Sequence, residues 1–320
     1  MTRALGPITL DTPEWSVALV LHEKWLDRAE GTGLSPAYSL WLCRGKKGML
    51  RHLHKPEPPV DRRKDSAMTQ SEFVRVFDSQ GEDYKRAFQV FLDSTDQKRN
   101  AKRFLQRLVD DLPARKVFID AGAGTGEVTK AFAPTFDRTI AIEPNAHLLA
   151  QLQRAIPQAD AIGTSILDAS PEAQGDFVLC SHTLYYIPAD EWLAHLERLV
   201  SWMSPTGVTV VVLQNRGTDC MTMLQHFFGH QFDLGSLADA FRAKHGDHYE
   251  VSTTLDEAHV ETSEQAAACT VAEFMLNLLP ISQPPVKRDL DAYVATHFAT
   301  TDGAYRLSVH QDFLQIRERQ

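Results

Sequence analysis

The sequence predicts an α/β fold in which helices cover both faces of a doubly wound, mostly parallel sheet. Short apolar segments alternate with amphipathic helical segments from residue 116 onwards, and this order is typical of parallel sheets. The first apolar segment ends in an acidic residue and a glycine-rich turn, which is where ligands bind in such sheets. After residue 213 the alternation loosens, which predicts added helices that cap the sheet.

The elements of the sheet follow from the spacing of apolar residues. Strands are short apolar or β-branched runs, whereas helices repeat apolar residues three and four positions apart. Predicted strands cover 116–119, 139–142, 161–162, 177–180 and 207–213, and predicted helices cover 124–133 and 145–155. A further helix carries Trp192, Leu196, Leu199, Val200 and Met203 on its apolar face.

Helical spacing also precedes and follows this alternating region. One helix is predicted from Tyr84, Phe88, Phe91 and Leu92, and a second from Ala101, Phe104, Leu105 and Leu108. Later in the chain, helices are expected over 218–245, 262–279 and 286–297, with strands near 248–255 and 304–316.

Residues 1–67 differ in composition from the rest of the chain. They have a net charge of +3, basic clusters, a proline-rich stretch and little apolar periodicity, whereas residues 68–320 have a net charge of −12. A segment with so little apolar pattern to bury is expected to be poorly structured. We therefore predict a dispensable extension over 1–67 and a functional domain over 68–320. The parts of that domain are N-terminal helices (68–112), a core with the glycine-rich turn (113–214), and cap helices with the final strands (215–320).

Composition and charge exclude several classes of function. The net charge of −9 argues against a nucleic-acid partner, because such proteins carry a basic face. No apolar run approaches the ~18–20 residues that span a membrane, so no membrane partner is predicted. The four cysteines stand far apart without a C-x-x-C pair, which favours reduced thiols and a cytoplasmic location. The oligomeric state is left open.

Two histidine pairs have the spacing of metal ligands on a helix. They are His226 with His230, and His245 with His248. Neither pair has a Glu or Cys at a convincing ligand position, so no metal site is predicted.

The glycine-rich turn runs from Asp120 to Gly126 as Asp-Ala-Gly-Ala-Gly-Thr-Gly. Its G-x-G-x-G spacing differs from the G-x-G-x-x-G of dinucleotide-binding proteins, and it lacks the Lys-Ser/Thr of a P-loop. Glu143 ends the next strand 17 residues after Gly126, where a carboxylate can accept hydrogen bonds from both ribose hydroxyls. These features favour an adenosine ligand over a nicotinamide cofactor, and a cationic sulfonium suits the acidic chain.

Loop, spacing and acidic residue together resemble the class I S-adenosylmethionine-dependent methyltransferases. The resemblance implies a Rossmann-like, seven-stranded sheet and S-adenosyl-L-methionine as cofactor. It also implies that the loop holds the methionine part, that Glu143 holds the ribose, and that the stretch 163–166 contacts adenine. The cofactor-binding residues implied in this way are Asp120, Gly122, Ala123, Gly124, Gly126, Glu143, Pro144, Ser165, Ile166 and Ser181.

A finer resemblance, to histamine N-methyltransferase, rests on Leu184-Tyr185-Tyr186, on Ser94-Thr95-Asp96 and on Glu143-Pro144. The nucleic-acid amino-methyltransferases place Asn/Asp-Pro-Pro-Tyr/Phe after the fourth strand, and this chain does not. By position, the resemblance makes Tyr84, Phe88 and Tyr186 pocket walls and Asp96 the polar anchor of the substrate; Phe228 is a further candidate for the pocket. Two departures indicate a different acceptor. His182 replaces a neutral Gln, and Ser308-Val309-His310 lacks an Asn pair.

The expected function is therefore methyl transfer from S-adenosylmethionine to a small aromatic or indolic amine, on N or C, in natural product biosynthesis. His182, Asp96 and Tyr186 are the expected catalytic residues, with His182 as a proton acceptor near neutral pH. A structural histidine in the sheet crevice is the alternative for His182. Three other functions stay open: an O-methyltransferase of a small molecule, a non-catalytic S-adenosylmethionine-binding module, and an interaction protein that uses residues 1–67.

Overall fold

A seven-stranded sheet with the order β3-β2-β1-β4-β5-β9-β6 lies at the centre of the protein. The computed structural model describes residues 72–77, 81–279 and 281–320, so the extension predicted over 1–67 lies outside the described residues. Strands β1 to β5 are parallel, and β9 pairs antiparallel with both β5 and β6. The seven strands are β1 (Val117–Ala121), β2 (Arg138–Ile142), β3 (Asp160–Ile162), β4 (Gly175–Ser181), β5 (Met203–Gln214), β6 (Tyr249–Asp256) and β9 (Gln311–Glu318). This arrangement confirms the predicted doubly wound, mostly parallel sheet.

Helices cover both faces of the sheet, because alternate residues of its central strands enter two separate apolar cores. Phe118 and Phe177 face one core, whereas Ile119 and Val178 face the other. The helices are α1 (Glu82–Ser94), α2 (Gln97–Asp110), α3 (Glu127–Phe132), α4 (Ala146–Ala155), α5 (Trp192–Val200), α6 (Asp219–Phe228), α7 (Leu234–His245), α8 (Gln265–Leu276) and α9 (Lys287–His297). In the described parts of the chain, no helix combines the length and the apolar character that crossing a membrane requires.

The structure corrects three element boundaries. Met203 does not lie on the helix α5; it is the first residue of β5 and pairs with Gly175, so this strand begins four residues earlier than predicted. The segment 218–245 is two helices, because Gly229 adopts a left-handed φ of 65° that ends the first of them. A left-handed residue is a common helix terminator.

The end of the chain was predicted as one strand over 304–316 but contains two strands in different sheets. Strand β8 (Tyr305–Ser308) pairs with β7 (His259–Thr262), a strand that the sequence did not predict. Val309 donates its N–H to the Ala258 carbonyl, and the His310 ring contacts the same residue. These contacts turn the chain between β8 and β9, so Ser308-Val309-His310 is not a continuous strand.

The N-terminal helix and the late helices form one layer. The rings of Tyr84, Phe88 and Phe91 on α1 lie 5.5–5.6 Å from the ring of Phe274 on α8. The segment 72–77 is tied to the same helix, since the buried carboxylate of Glu273 accepts hydrogen bonds from both the backbone and the guanidinium of Arg75. Segments predicted as separate parts of the domain, before 112 and after 215, therefore pack together.

Candidate active site

The glycine-rich turn follows β1 directly and has the backbone that its sequence predicts. Gly122, Gly124 and Gly126 have φ values of 79°, 59° and 87°, a left-handed conformation that glycine adopts without steric cost. Asp120 is buried, and its carboxylate accepts a hydrogen bond of 2.6 Å from the Thr129 hydroxyl on α3. Asp120 thus links β1 to the helix that follows the turn.

The three glycines have different surroundings. Gly122 and Ala123 donate their N–H groups to the Ile142 carbonyl at the end of β2. A Cβ at Gly126 would lie 3.1 Å from the side chains of Leu152 and Ile156, so this glycine permits close packing against α4. Gly126 therefore lets the turn pack against α4, whereas Gly122 lines the adjacent cavity.

Glu143 connects the turn to the end of β2. This residue is fully buried, and its carboxylate accepts hydrogen bonds from the N–H groups of Gly124 at 2.8 Å and Asn145 at 3.0 Å. Asn145 in turn caps α4 by accepting from the N–H groups of His147 and Leu148. A single carboxylate thus fixes the middle of the turn and the start of α4, beside the cavity that Pro144 and Asn145 line.

A cavity of about 470 Å³ lies along the carboxyl ends of β1, β2 and β4. This volume falls within the range of small-molecule sites. The structure brings five of the residues predicted from sequence to its wall: Gly122, Pro144, Ser165, Ile166 and Tyr186. It adds six that sequence reasoning missed: Asn145, Leu167, Thr183, Ile187, Glu191 and His195.

Some of the missed residues carry a signal in the sequence, and others do not. Glu191 and His195 are four positions apart, at the beginning of α5, so they share a helix face next to the Tyr185-Tyr186 corner. Thr183 has no such pattern; its hydroxyl lies 3.4 Å from the Ala121 carbonyl and 3.5 Å from the Gly122 carbonyl. Its place beside the turn depends on the pairing of β1 with β4.

The site fits an adenosyl ligand that carries an amino-acid end. The buried hydroxyl of Thr125, between two left-handed glycines, has no hydrogen-bond partner among the described residues. Buried polar groups are nearly always paired, so this hydroxyl marks a place for a polar ligand atom. Together with the glycine backbone and the Pro144 side of the cavity, Thr125 offers the mixed polar and apolar surroundings that such a ligand needs.

The predicted aromatic walls lie next to one another. Tyr84 stacks on Phe88 with 6.3 Å between ring centroids, and both rings pack on Phe274. Burial raises the pKa of the Tyr186 phenol, and the nearby Tyr84, Tyr185 and Glu143 raise it further. Of the three predicted walls, Tyr186 lines the 470 Å³ cavity, whereas Tyr84 and Phe88 are buried in the core against Phe274.

His182 is buried directly after β4 and has a left-handed φ of 53°. Both nitrogens of its ring contact protein groups. Nδ1 lies 3.2 Å from the Tyr185 hydroxyl, and Nε2 lies 2.6 Å from the side-chain amide of Gln311. Burial lowers the pKa of His182 well below its ordinary value, and the charge of Lys98 lowers it further. The ring is thus a neutral, doubly hydrogen-bonded group, and it does not line the 470 Å³ cavity.

The remaining predicted residues lie apart from the cavity wall. Asp96 accepts a hydrogen bond of 2.8 Å from the His259 N–H, which ties the start of α2 to β7. Phe228 is partly buried at the end of α6 against the larger apolar core. The Ser181 carbonyl, at the end of β4, accepts a hydrogen bond from the Thr183 hydroxyl. The structure does not bring Asp96 into contact with Tyr186 or His182, so its role as acceptor anchor stays a prediction.

The histidine pairs considered as metal ligands have other contacts. His245 Nε2 lies 2.7 Å from the Glu197 carboxylate, and the His226 ring packs on Tyr293. Within residues 72–77, 81–279 and 281–320, no cluster of three or more His, Cys, Asp or Glu residues could hold a metal ion.

Known proteins show the same type of domain. A sequence profile described as a methyltransferase domain matches residues 93–259. The probable methyltransferase ltbC of Aspergillus luteorubrus is 27% identical over 173 residues, which are 49% of this chain and 58% of that protein. The chain thus spans less than two thirds of the length of this relative.

Solved structures with a similar chain path include the YcgJ protein from Bacillus subtilis, with a TM-score of 0.48 and 10% identity over 68% of this chain and 98% of that one. The N-methyltransferase NodS from Bradyrhizobium japonicum WM9, solved with S-adenosyl-L-homocysteine, has a TM-score of 0.45 and 14% identity over 75% and 100%. The resemblance to histamine N-methyltransferase has no counterpart among these matches. The profile covers more than half of the chain, from the end of α1 to the start of β7, and the protein therefore belongs to the class I S-adenosylmethionine-dependent methyltransferase domain family.

Proposed function

We propose that the protein transfers a methyl group from S-adenosylmethionine to a small aromatic metabolite. The observation that carries this proposal is the cavity between the glycine turn and Tyr186, at the carboxyl ends of the parallel strands. On one side it offers the backbone of a turn that the family uses for the methyl donor. On the other it offers the ring of Tyr186, which favours a flat acceptor and a cationic sulfonium alike.

Each part of the cofactor is assigned to one part of the site. The backbone around Gly122 and Gly124, with the Thr125 hydroxyl, holds the amino-acid end. Glu143 and its neighbours Pro144 and Asn145 hold the ribose, and Ser165 and Ile166 contact the adenine. Asp120 and Gly126 act on the shape of the turn, because their contacts are with α3 and α4.

The bound cofactor supplies a methyl group that is already activated by a positive sulfur. An electron pair of the acceptor would form the new bond to the methyl carbon while the carbon–sulfur bond broke onto sulfur, and a neutral amine, phenol or indole would release its own proton to solvent. The chain therefore has mainly to align the two reactants and exclude water. Alignment of well-oriented reactants can lower a barrier by ~7–11 kcal/mol, so no strong acid or base is required.

The nature of the acceptor follows from two different observations. The ring of Tyr186 on the cavity wall favours an aromatic or indolic amine, methylated on N or C, as in natural product biosynthesis. An O-methyl acceptor is the second candidate, and it is favoured by Lys98, a cationic side chain beside His182. For His182 itself, the contacts of both ring nitrogens favour a positioning role over proton transfer.

Two measurements test this function. Calorimetry with the full chain should detect binding of S-adenosylmethionine and S-adenosylhomocysteine but not of NAD. Incubation with a panel of aromatic amines, indoles and phenols should give a product that is heavier by one methyl group. Tight binding of the cofactor without any methylated product would instead support the non-catalytic binding module.

A further inference from the structure

Part of the cavity wall is suited to a flat ring with a polar edge. Four of the lining residues are apolar and come from three segments of the chain: Pro144, Ile166, Leu167 and Ile187. Leu167 leaves 43% of its surface exposed, so a ring that packs on it would remove apolar surface from water. The same wall contains the side chain of His195, a buried histidine near the beginning of α5.

The ring of His195 has a fixed hydrogen-bonding pattern. Its Nδ1 atom lies 2.9 Å from the backbone carbonyl of Glu191, one helical turn earlier. A carbonyl oxygen can only accept, so Nδ1 carries the hydrogen and the neutral ring keeps a lone pair on Nε2. In the part of the chain that the structure describes, Nε2 makes no hydrogen bond. His195 therefore brings a hydrogen-bond acceptor without a protein partner to the cavity that it lines.

Three other polar side chains on the wall serve the protein itself. The Oδ1 atom of Asn145 accepts two N–H groups at the start of α4. The hydroxyl of Ser165 donates to the Asp168 carboxylate at 2.7 Å, and that of Thr183 lies within hydrogen-bond distance of backbone carbonyls. His195 differs from these residues, because its Nε2 has no role in holding the protein together.

Contacts of α5 bring His195 close to the segment that follows β3. Arg198 lies three positions after His195 on the same face of α5, and its guanidinium donates to the Ala169 carbonyl. The Ala169 N–H in turn donates to the Ser165 carbonyl at 2.9 Å. This face of α5 is therefore tied to the segment 165–170, whose first residues the proposed function assigns to the adenine.

We propose that His195 recognises the adenine of the methyl donor, with Nε2 accepting a hydrogen bond from the exocyclic amino group. This inference rests on the proposed function and adds a residue that determines specificity for the donor. The lone pair on Nε2 attracts an N–H group and repels a carbonyl oxygen, so the site selects adenine against a 6-oxopurine. An aromatic amine acceptor has a similar amino group, but the link between α5 and the segment 165–170 favours the adenine.

The test compares two ligands that differ at this amino group. Calorimetry with the full chain measures binding of S-adenosylhomocysteine and of S-inosylhomocysteine, in which an oxygen replaces the amino group. We expect the wild type to bind the adenosyl compound ~10–100-fold more tightly, the range for a buried polar group that loses its partner. His195→Phe keeps a flat ring without the acceptor. It should lose most of the preference, because only binding of the adenosyl compound becomes weaker.

Two further variants complete the comparison. His195→Gln can turn either an oxygen or an N–H towards the ligand, so its preference should be intermediate, and it provides the same measurement if His195→Phe does not fold. The matched control is His147→Phe, which replaces an exposed histidine at the start of α4 that does not line the cavity. It should bind both compounds as the wild type does.

Several results would overturn the inference. They are equal binding of the two compounds by the wild type, a preference in His195→Phe or His195→Gln equal to that of the wild type, or an equal loss for both compounds. If His195 contacts the methyl acceptor instead, the preference stays intact and His195→Phe raises only the KM for the acceptor. Failure of the proposed function looks different, since the wild type would then bind neither S-adenosylmethionine nor S-adenosylhomocysteine.

Discussion

The two sides of the cavity are built from different kinds of groups. The donor side consists of the turn from Asp120 to Gly126 with Glu143, where a buried carboxylate holds the backbone and the Thr125 hydroxyl has no partner among the described residues. The acceptor side, lined by Thr183 and Tyr186, is backed by His182 and Gln311, two side chains from distant segments that meet at 2.6 Å, while Gln311 Oε1 has no partner among the described residues. A turn held by local backbone contacts suits one invariant ligand, whereas side chains that only tertiary packing brings together suit recognition of a particular acceptor.

The largest effect is expected on the donor side, from Gly124→Val. Valine in a left-handed conformation is strained by ~1–3 kcal/mol, and it would displace the N–H that Glu143 accepts. We expect calorimetry to show at least 100-fold weaker binding of S-adenosylmethionine. The matched control is Gly303→Val, which has the same type of strain at a φ of 86° in the turn before β8, with open space around it. Equal binding by both variants would contradict the assignment of the turn to the cofactor.

Lys98→Met is expected to change stability in a direction that depends on pH. Because burial lowers the pKa of Lys98 to about 8 from 10.5, the unfolded chain binds more protons between these values, and stability rises with pH there. Below pH 8 the charged amine costs the fold roughly 3 kcal/mol, at 1.36 kcal/mol for each pKa unit. The variant should therefore be more stable at pH 7, with an advantage that shrinks towards pH 10.

Urea unfolding of the wild type and Lys98→Met at pH 7 and pH 9.5 measures this difference. The other titratable group beside the amine, His182, is neutral across that range because burial lowers its pKa. A variant that is less stable at pH 7, or a stability difference that does not change with pH, would show that the amine is not desolvated.

A smaller effect is expected from His182→Gln. Glutamine can keep one hydrogen bond to Gln311 or Tyr185, so we expect turnover to fall by less than about tenfold, with no change in cofactor affinity. Since burial and Lys98 lower the pKa of His182, turnover of the wild type should also stay flat as the pH falls through 6.5. The opposite result has two parts: His182→Gln loses 100-fold in turnover, and turnover falls at acidic pH in the wild type but not in the variant. That result would identify His182 as the proton acceptor.

No measurable effect is expected from removal of residues 1–67. A chain that begins at Met68 keeps Arg75, whose bonds to the buried Glu273 hold the segment 72–77 on α8. Its turnover and its melting temperature should equal those of the full chain. As a contrast, Arg75→Met leaves a buried carboxylate partly unpaired and should cost about 3 kcal/mol. Loss of activity in the shorter chain alone would mean that residues 1–67 contribute to the site.

The donor side could be predicted from sequence because its determinants are local. Three glycines in five positions, after a strand that ends in Asp120, require the left-handed turn that the structure contains. Glu143 ends the neighbouring strand, so parallel pairing alone brings it to the turn. The strands β1 to β4 could be predicted for the same reason. Each is a short apolar run, and this local pattern is enough to indicate a strand.

The acceptor side could not be predicted because its contacts depend on the path of the whole chain. Gln311 meets His182 across 129 positions, and only the antiparallel insertion of β9 beside β5 brings them together. Asp96 was assigned to a substrate, yet its partner is the N–H of a strand, β7, that no periodic pattern indicates. The environment of Lys98 likewise follows from tertiary packing, since an isolated lysine in a helix looks like an ordinary surface residue.

The position of β9 between β5 and β6 also determines the order in which the protein can assemble during synthesis. The parallel strands can pair as they leave the ribosome, but β6 has no neighbour in the sheet until β9 is made. The same event delivers Gln311 to His182. The glycine turn and Glu143 can therefore come together early, whereas the surroundings of His182 are complete only after β9 has been made.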